Sequence, residues 1–262
     1  MKKVSLAIVL AIVALLCASC KKENKLEQQI IGKWIIADMN GNPELTNKKQ
    51  VFTFISPTKA SVSTSMSAKP GMPSLWMDHL ETEVVISDGK VTLTSHPNEN
   101  TTIMDENAIV SINDNEFISN RKLTMYRDGE VSFTTDMTIR FVKVTVDYSQ
   151  AILGLWEGRS TGEHSEFDDG ENHRWEYLAD GNFRYYHKVD GEWQLSDDAY
   201  ANYFVDGNLL CTRWKNNGEN QEEHREWWEI ASIENNLMYW TALRQNADGS
   251  TYTATFSMNK MQ

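Results

Sequence analysis

Gln28-Gln29-Ile30-Ile31-Gly32-Lys33-Trp34 returns 122 positions later as Gln150-Ala151-Ile152-Leu153-Gly154-Leu155-Trp156. The shared pattern Q-x-I-[IL]-G-x-W opens two stretches of nearly equal length, so each half must build one copy of the same unit. We therefore divide the chain into two tandem domains, residues 26–147 and 148–262. Each is long enough to bury a core of its own.

Both halves read as antiparallel β. In the first, Asp88-Gly89 and Arg127-Asp128-Gly129 punctuate strand-like runs over 51–55, 83–87, 91–94, 122–126 and 138–146. In the second, Asp180-Gly181, Asp190-Gly191, Asp206-Gly207 and Asp248-Gly249 separate runs near 172–178, 182–189, 199–205, 208–215, 222–230, 236–244 and 250–258. An Asp-Gly pair supplies the positive φ that a tight hairpin needs. No helical period is sustained, apart from a single turn before each G-x-W. The 56–79 stretch, with Lys69-Pro70-Gly71-Met72-Pro73, lacks alternation and reads as a long loop or a partner-contacting segment. About eight antiparallel strands joined by hairpins hide their edges by closing into a barrel. The expected fold is all-β: two tandem antiparallel eight-stranded barrels.

The opening turn, the G-x-W and the eight-stranded meander resemble the lipocalin-like (calycin) family, once per half. In that family the glycine admits the first strand tightly and the tryptophan plugs the closed end of the barrel. The resemblance gives those places to Gly32 and Trp34, and to Gly154 and Trp156. It also implies an arginine of the last strand stacked across the tryptophan, for which Arg140 is available in the first half. The counterpart in the second half is Thr255, and the family's T-D-Y loop is absent from both.

Ahead of the first repeat, Lys2 and Lys3 precede an apolar run from Val4 to Leu16, too short to span a bilayer and suited to a signal peptide. The following Cys17-Ala18-Ser19-Cys20 resembles the bacterial lipobox. That resemblance makes residues 1–19 a signal peptide, Cys20 the lipid attachment site and 20–25 a polar tether. With more than one acyl chain at about 0.8 kcal/mol per buried CH₂, the membrane would be a permanent partner. The implied location is the Gram-negative cell envelope, as an outer-membrane lipoprotein that is surface-exposed or periplasmic.

The full chain carries a formal net charge of −12, two units more negative once Lys2 and Lys3 leave. That balance repels phosphate backbones and excludes nucleic acid as a partner. Cys211 is the remaining cysteine once Cys17 and Cys20 are accounted for, so no intrachain disulfide is available. No metalloprotease motif, G-x-S-x-G, phosphate-cradling glycine loop or Rossmann fingerprint occurs. The acidic 163–171 run lacks the spacing of a calcium loop. We expect no catalytic residue, no metal site and no cofactor.

The second half is the more acidic and holds seven of the nine tryptophans, so it is the better candidate for a binding cup. Strand alternation groups Tyr185 with His187, Trp175 with Tyr177, Cys211 with Arg213, His224 with Glu226 and Trp228, and Leu237 with Tyr239. Aromatic walls meeting a few orienting polar groups make a pocket for a small molecule or glycan. The candidate ligand residues are Trp175, Tyr177, Tyr185, His187, Arg213, His224, Glu226, Trp228 and Tyr239. A filled barrel would instead indicate a non-catalytic interaction protein that contacts a protein partner, such as a complex subunit or an enzyme inhibitor. Two carboxylates facing each other in a cleft are the least that hydrolysis would need.

Overall fold

The computed structural model describes residues 25–66, 74–161, 170–219 and 221–262. Residues 1–19, expected to be a signal peptide, Cys20 and most of the expected tether lie outside the described residues, as do parts of the 56–79 and 163–171 segments. Among the described residues, no helix is long and apolar enough to cross a membrane.

The protein is all-β. The first sheet contains β1 (Gly32–Met39), the short β2 (Asn42–Pro43), β3 (Val51–Ser56), β4 (Lys59–Met66), β5 (Leu75–Ser87), β6 (Lys90–Asn98), β7 (Thr101–Ile112), β8 (Glu116–Arg127) and β9 (Glu130–Val144). Its order is β2-β1-β3-β4-β5-β6-β7-β8-β9, and β1 also pairs with β9, which closes an eight-stranded antiparallel barrel with β2 appended. The second sheet contains β10 (Gly154–Ser160), β11 (His173–Tyr177), β12 (Phe183–Val189), β13 (Glu192–Leu195), β14 (Asp198–Asp206), β15 (Leu209–Asn216), β16 (His224–Glu234), β17 (Leu237–Gln245) and β18 (Thr251–Lys260). Its order is β13-β12-β11-β10-β18-β17-β16-β15-β14, and it curls so that an isolated bridge links Asn182, just before β12, to Asn202 of β14. The second sheet is thus a curled, nine-stranded half-barrel rather than the closed eight-stranded barrel expected, and it is called the second barrel below. Asp88-Gly89, Asp128-Gly129 and Asp190-Gly191 have positive φ at both residues, the geometry of a two-residue hairpin.

The chain divides into two compact units. One takes the chain up to Pro43, Phe52–Val62 and His79–Lys143, and its core gathers Trp34, Phe52, Phe54, Phe117 and Phe141 around Ile30 and Ile139. The other takes Val144–Gln262 together with Glu44–Val51 and Ser63–Asp78. Within this second unit the two short segments cover the outside of β14–β17. Trp227 Nε1 donates to the Ser65 carbonyl, and Arg225 Nη1 donates to the carbonyls of Met66 (3.0 Å) and Leu75 (2.7 Å). Thr46 Oγ1 accepts from the Leu243 amide at 2.8 Å, and Lys49 meets Glu229 at 2.7 Å. The 56–79 stretch is therefore not one long loop: β4 and the start of β5 occupy most of its described part. Ala60, Ser61, Val62, Ser63, Thr64 and Ser65 are buried on both strand faces, which removes the alternation that would have marked a strand.

The G-x-W motif does the same work twice. Trp34 Nε1 donates to the Ile30 carbonyl at 2.7 Å, and Trp156 Nε1 to the Ile152 carbonyl at 2.6 Å, tying the opening turn to the first strand. Both indoles and both isoleucines are fully buried. The cation over each ring is a lysine of the last strand, Lys143 over Trp34 at 5.0 Å and Lys260 over Trp156 at 5.2 Å. This corrects the expectation for Arg140, which instead pairs with Asp38 and, at 3.2 Å, with Glu116. Those carboxylates, with Asp38 first, hold its guanidinium above its ordinary range.

Candidate ligand site in the second barrel

Two pairs of adjacent strands, brought face to face by the curl of the sheet, form most of the site. From β11 come Trp175 and Tyr177, from β12 Phe183 and Tyr185, from β15 Thr212, Trp214 and Asn216, and from β16 Glu226 and Trp228. Trp240 of β17, Asp198 of β14 and Ser196, just after β13, complete the lining of a partly enclosed cavity of about 140 Å³. The alternation of β11, β12 and β16 aims every second side chain inward. In β16 this settles which member of the Trp227-Trp228 pair faces the cavity: Trp228 lines it, and Trp227 meets Ser65 outside.

Seven of the twelve lining residues are aromatic, and they brace one another. Trp175 stands edge-on to Trp240 at 5.6 Å, Trp228 tilts against Trp240 at 5.5 Å, and Trp175 meets Tyr185 at 5.5 Å. Ring pairs at these distances are attractive beyond the area they bury, so the walls are preformed. The polar groups are held as firmly. Asp198 Oδ1 accepts from Ser196 Oγ at 3.1 Å and from Asn216 Nδ2 at 2.8 Å. Glu226 Oε2 accepts from Trp228 Nε1 at 3.3 Å, while Thr212 Oγ1 donates to the Glu226 carbonyl at 3.4 Å. Burial, with a smaller push from Asp197, raises the Asp198 carboxyl above the usual carboxylate range against the pull of Ser196 and His224. Burial also drives the Tyr177 hydroxyl well above the phenol range, with Glu226 and Tyr203 adding to it, so that hydroxyl stays a proton donor.

Of the nine residues expected to meet a ligand, the cavity brings together Trp175, Tyr177, Tyr185, Glu226 and Trp228. The other four stand elsewhere. His187 stacks on Tyr185 at 5.9 Å beyond the lining, and His224 is exposed and stacks on Trp214 at 5.4 Å. Arg213 lies on the opposite face of β15, 4.5 Å over the Trp76 ring and 3.3 Å from Asn202. Tyr239 is 42 % exposed on the outside of β17. The inward parity expected for Leu209, Cys211 and Arg213, and for Tyr239, is thus reversed. Leu209 to Thr212 are buried on both faces because residues of 44–51, 63–66 and 74–78 cover the outside, so the start of β15 carries no readable alternation. In β17 both parities are rich in apolar residues, and the inward set is Met238, Trp240 and Ala242. Reversing those two parities brings in Thr212, Trp214, Asn216 and Trp240, which sequence reasoning missed; nothing in the sequence singles out Ser196 or Asp198. Cys211 is buried, and burial raises its thiol well above the usual range, which leaves it a small apolar side chain rather than a nucleophile.

The first barrel differs. The gap in its core among Ile30, Phe52, Phe117, Phe141 and their neighbours is about 10 Å³, room for at most one water. Among the described residues no group of His, Cys, Asp and Glu could hold a metal ion.

No family model and no curated protein matches the chain. Among solved structures it is similar to a mutant of transferrin-binding protein B, a vaccine antigen from Haemophilus parasuis, at 9% identity over 81% of this chain and 52% of that one, with a TM-score of 0.24. The chain thus spans about half the length of that protein, and a likeness of that TM-score adds nothing to the strand pairings on which the fold rests.

Proposed function

We propose that the chain is a lipid-anchored binding protein of the Gram-negative cell envelope, held by an acylated Cys20 at the outer membrane, with 26–147 and 148–262 as lipocalin-like repeats. The second barrel takes a small ligand or the terminal unit of a glycan. The observation that carries this reading is the aromatic cavity of about 140 Å³ between β11, β12 and β14–β17. Its volume matches the roughly 150 Å³ that accommodates benzene and falls below the ~300–1,000 Å³ of drug-sized pockets. One ring fits; haem, bile acids and acyl chains do not. Asp198 accepts from Ser196 and Asn216 and Glu226 from Trp228, an arrangement that orients a ligand and needs no reaction to explain it.

The filled first barrel supports a different role for its own unit, as a spacer or a surface for a protein partner, because a gap of about 10 Å³ leaves no cup. The test is a thermal-shift series on the full chain with monosaccharides, small aromatic compounds, haem and a bile acid, repeated with Trp214→Ala. We expect single-ring compounds to raise Tm, the two large ligands to leave it unchanged, and Trp214→Ala to abolish the gain. No shift from any single-ring compound would sink the reading and favour the partner-contact alternative for both barrels.

A further inference from the structure

Resting on that reading of the second barrel, we infer that its ligand is a hydroxylated primary amine bound as the cation, with an unsubstituted hexosamine as the type. The lining holds two carboxylates, Asp198 and Glu226, and no lysine, arginine or histidine. Both hydrogen bonds to Asp198 fall on Oδ1 and come from neutral donors, Ser196 and Asn216, so its charge is solvated without being neutralised. Burial raises that carboxyl against the pull of Ser196 and of His224, which lies outside the lining. An ammonium placed there gains a charge-assisted bond and the faces of the surrounding rings.

A cation alone does not complete the site. Tyr177 and Trp240 also line the cavity, each almost fully buried, and neither Tyr177 OH nor Trp240 Nε1 has a hydrogen-bond partner among the described residues. Both are donors, so the ligand must bring acceptor oxygens. A quaternary ammonium brings none in a ring-sized frame, and a neutral sugar brings oxygens without the charge. An amino sugar brings both and has the flat C–H face that stacks on indole. Arg244 already lies 4.6 Å over the Trp228 ring, so the amine is assigned to Asp198, where β14 and β15 pair Asp198 with Asn216, and not to Glu226 beside Trp228.

Calorimetric titration of the full chain at pH 7 with D-glucosamine, D-glucose and N-acetyl-D-glucosamine separates charge from shape, since the three differ only in charge and in the group on one carbon. We expect glucosamine to bind at least about tenfold more tightly than either neutral sugar. Asp198→Asn, checked by its melting curve, should bring glucosamine down to the affinity of the neutral sugars. Equal affinity for the three sugars, or a preference for the N-acetyl form, overturns the cation assignment and leaves the one-ring pocket standing. A glucosamine preference that survives in Asp198→Asn overturns the role given to Asp198. No binding by any of the three overturns this inference, and the pocket reading falls with it only if the small aromatic compounds also fail to bind.

Discussion

The ammonium of Lys260 lies 5.2 Å over the ring of Trp156, and its Cε stands where it would be 3.1 Å from a Cβ on Gly154. Strand pairing sets this up, since Trp156 and Lys260 are direct partners between β10 and β18. Lys143, Trp34 and Gly32 repeat it, with the corresponding distances at 5.0 and 3.2 Å. Gly154 and Gly32 also sit at φ of +115° and +123°, where a side chain is strained whatever the space. The glycine therefore serves the backbone first and the lysine second.

Gly154→Ala should accordingly cost about 1–3 kcal/mol, the range for a non-glycine residue held at such a φ. Lys260→Met, which keeps the stem and loses the charge, should cost only about 0.5–2 kcal/mol. Combining them should not rescue the alanine, because removing the ammonium relieves the contact and leaves the backbone strain. Urea unfolding of the three variants measures this. A double variant as stable as Lys260→Met alone would show that the crowding, and not φ, makes the glycine necessary.

Asp105 and Arg121 form the most deeply buried ion pair among the described residues, with Nη2 to Oδ2 at 2.6 Å and Nε to Oδ1 at 2.8 Å. Asn107 donates to Asp105 Oδ1 at 2.8 Å, and Ser119 donates to Asn107 at 2.9 Å, so the whole group is satisfied. Removing one charge leaves the other stranded in a dry setting. Asp105→Asn should lower stability by about 3–5 kcal/mol, whereas Asp105→Leu with Arg121→Met, which removes both charges, should cost less than the single change. Denaturant midpoints of the two variants decide it. A double variant less stable than the single would show that the pair contributes net stability.

Much of this architecture is legible in the sequence because each signal has one physical cause. The repeated I-[IL]-G-x-W announces the carbonyl, the positive φ and the buried indole that the barrel entrance needs, and Asp-Gly pairs announce hairpins because few other residues accept positive φ twice in succession. Legibility fails where a strand is covered on both faces. Alternation reports the difference between a wet face and a dry one, and β4 and the start of β15 have no wet face. For the same reason the pattern points Arg213 and Tyr239 inward and passes over Trp214 and Trp240. Asp198 is invisible for another reason: in an acidic half, one carboxylate is distinguished only by the Ser196 and Asn216 that the fold brings to it.

That carboxylate also predicts a pH dependence. Because burial raises the Asp198 carboxyl, the folded chain holds this proton more tightly than the unfolded chain does. The stability it contributes is full below the unfolded value of about 3.9 and is lost as pH rises through the raised folded value. At neutral pH the ionised group is therefore a burden on the fold. An asparagine side chain in its place would keep an Oδ1 to accept from Ser196 and Asn216 without the charge, so Asp198→Asn should melt above the wild-type chain at pH 7. The gap should close as pH falls toward about 3.5, where both side chains are neutral. Glu157 moves in the opposite direction: burial pushes its carboxyl up, but bonds from Asn172 and Arg174 outweigh this and hold it below its usual range. Its stabilisation disappears in acid from both proteins alike and cancels in the difference. Scanning calorimetry of the two proteins from pH 3 to 8 is the measurement, and a variant that melts below wild type at pH 7 would show that the Asp198 charge is already neutralised in the unliganded barrel.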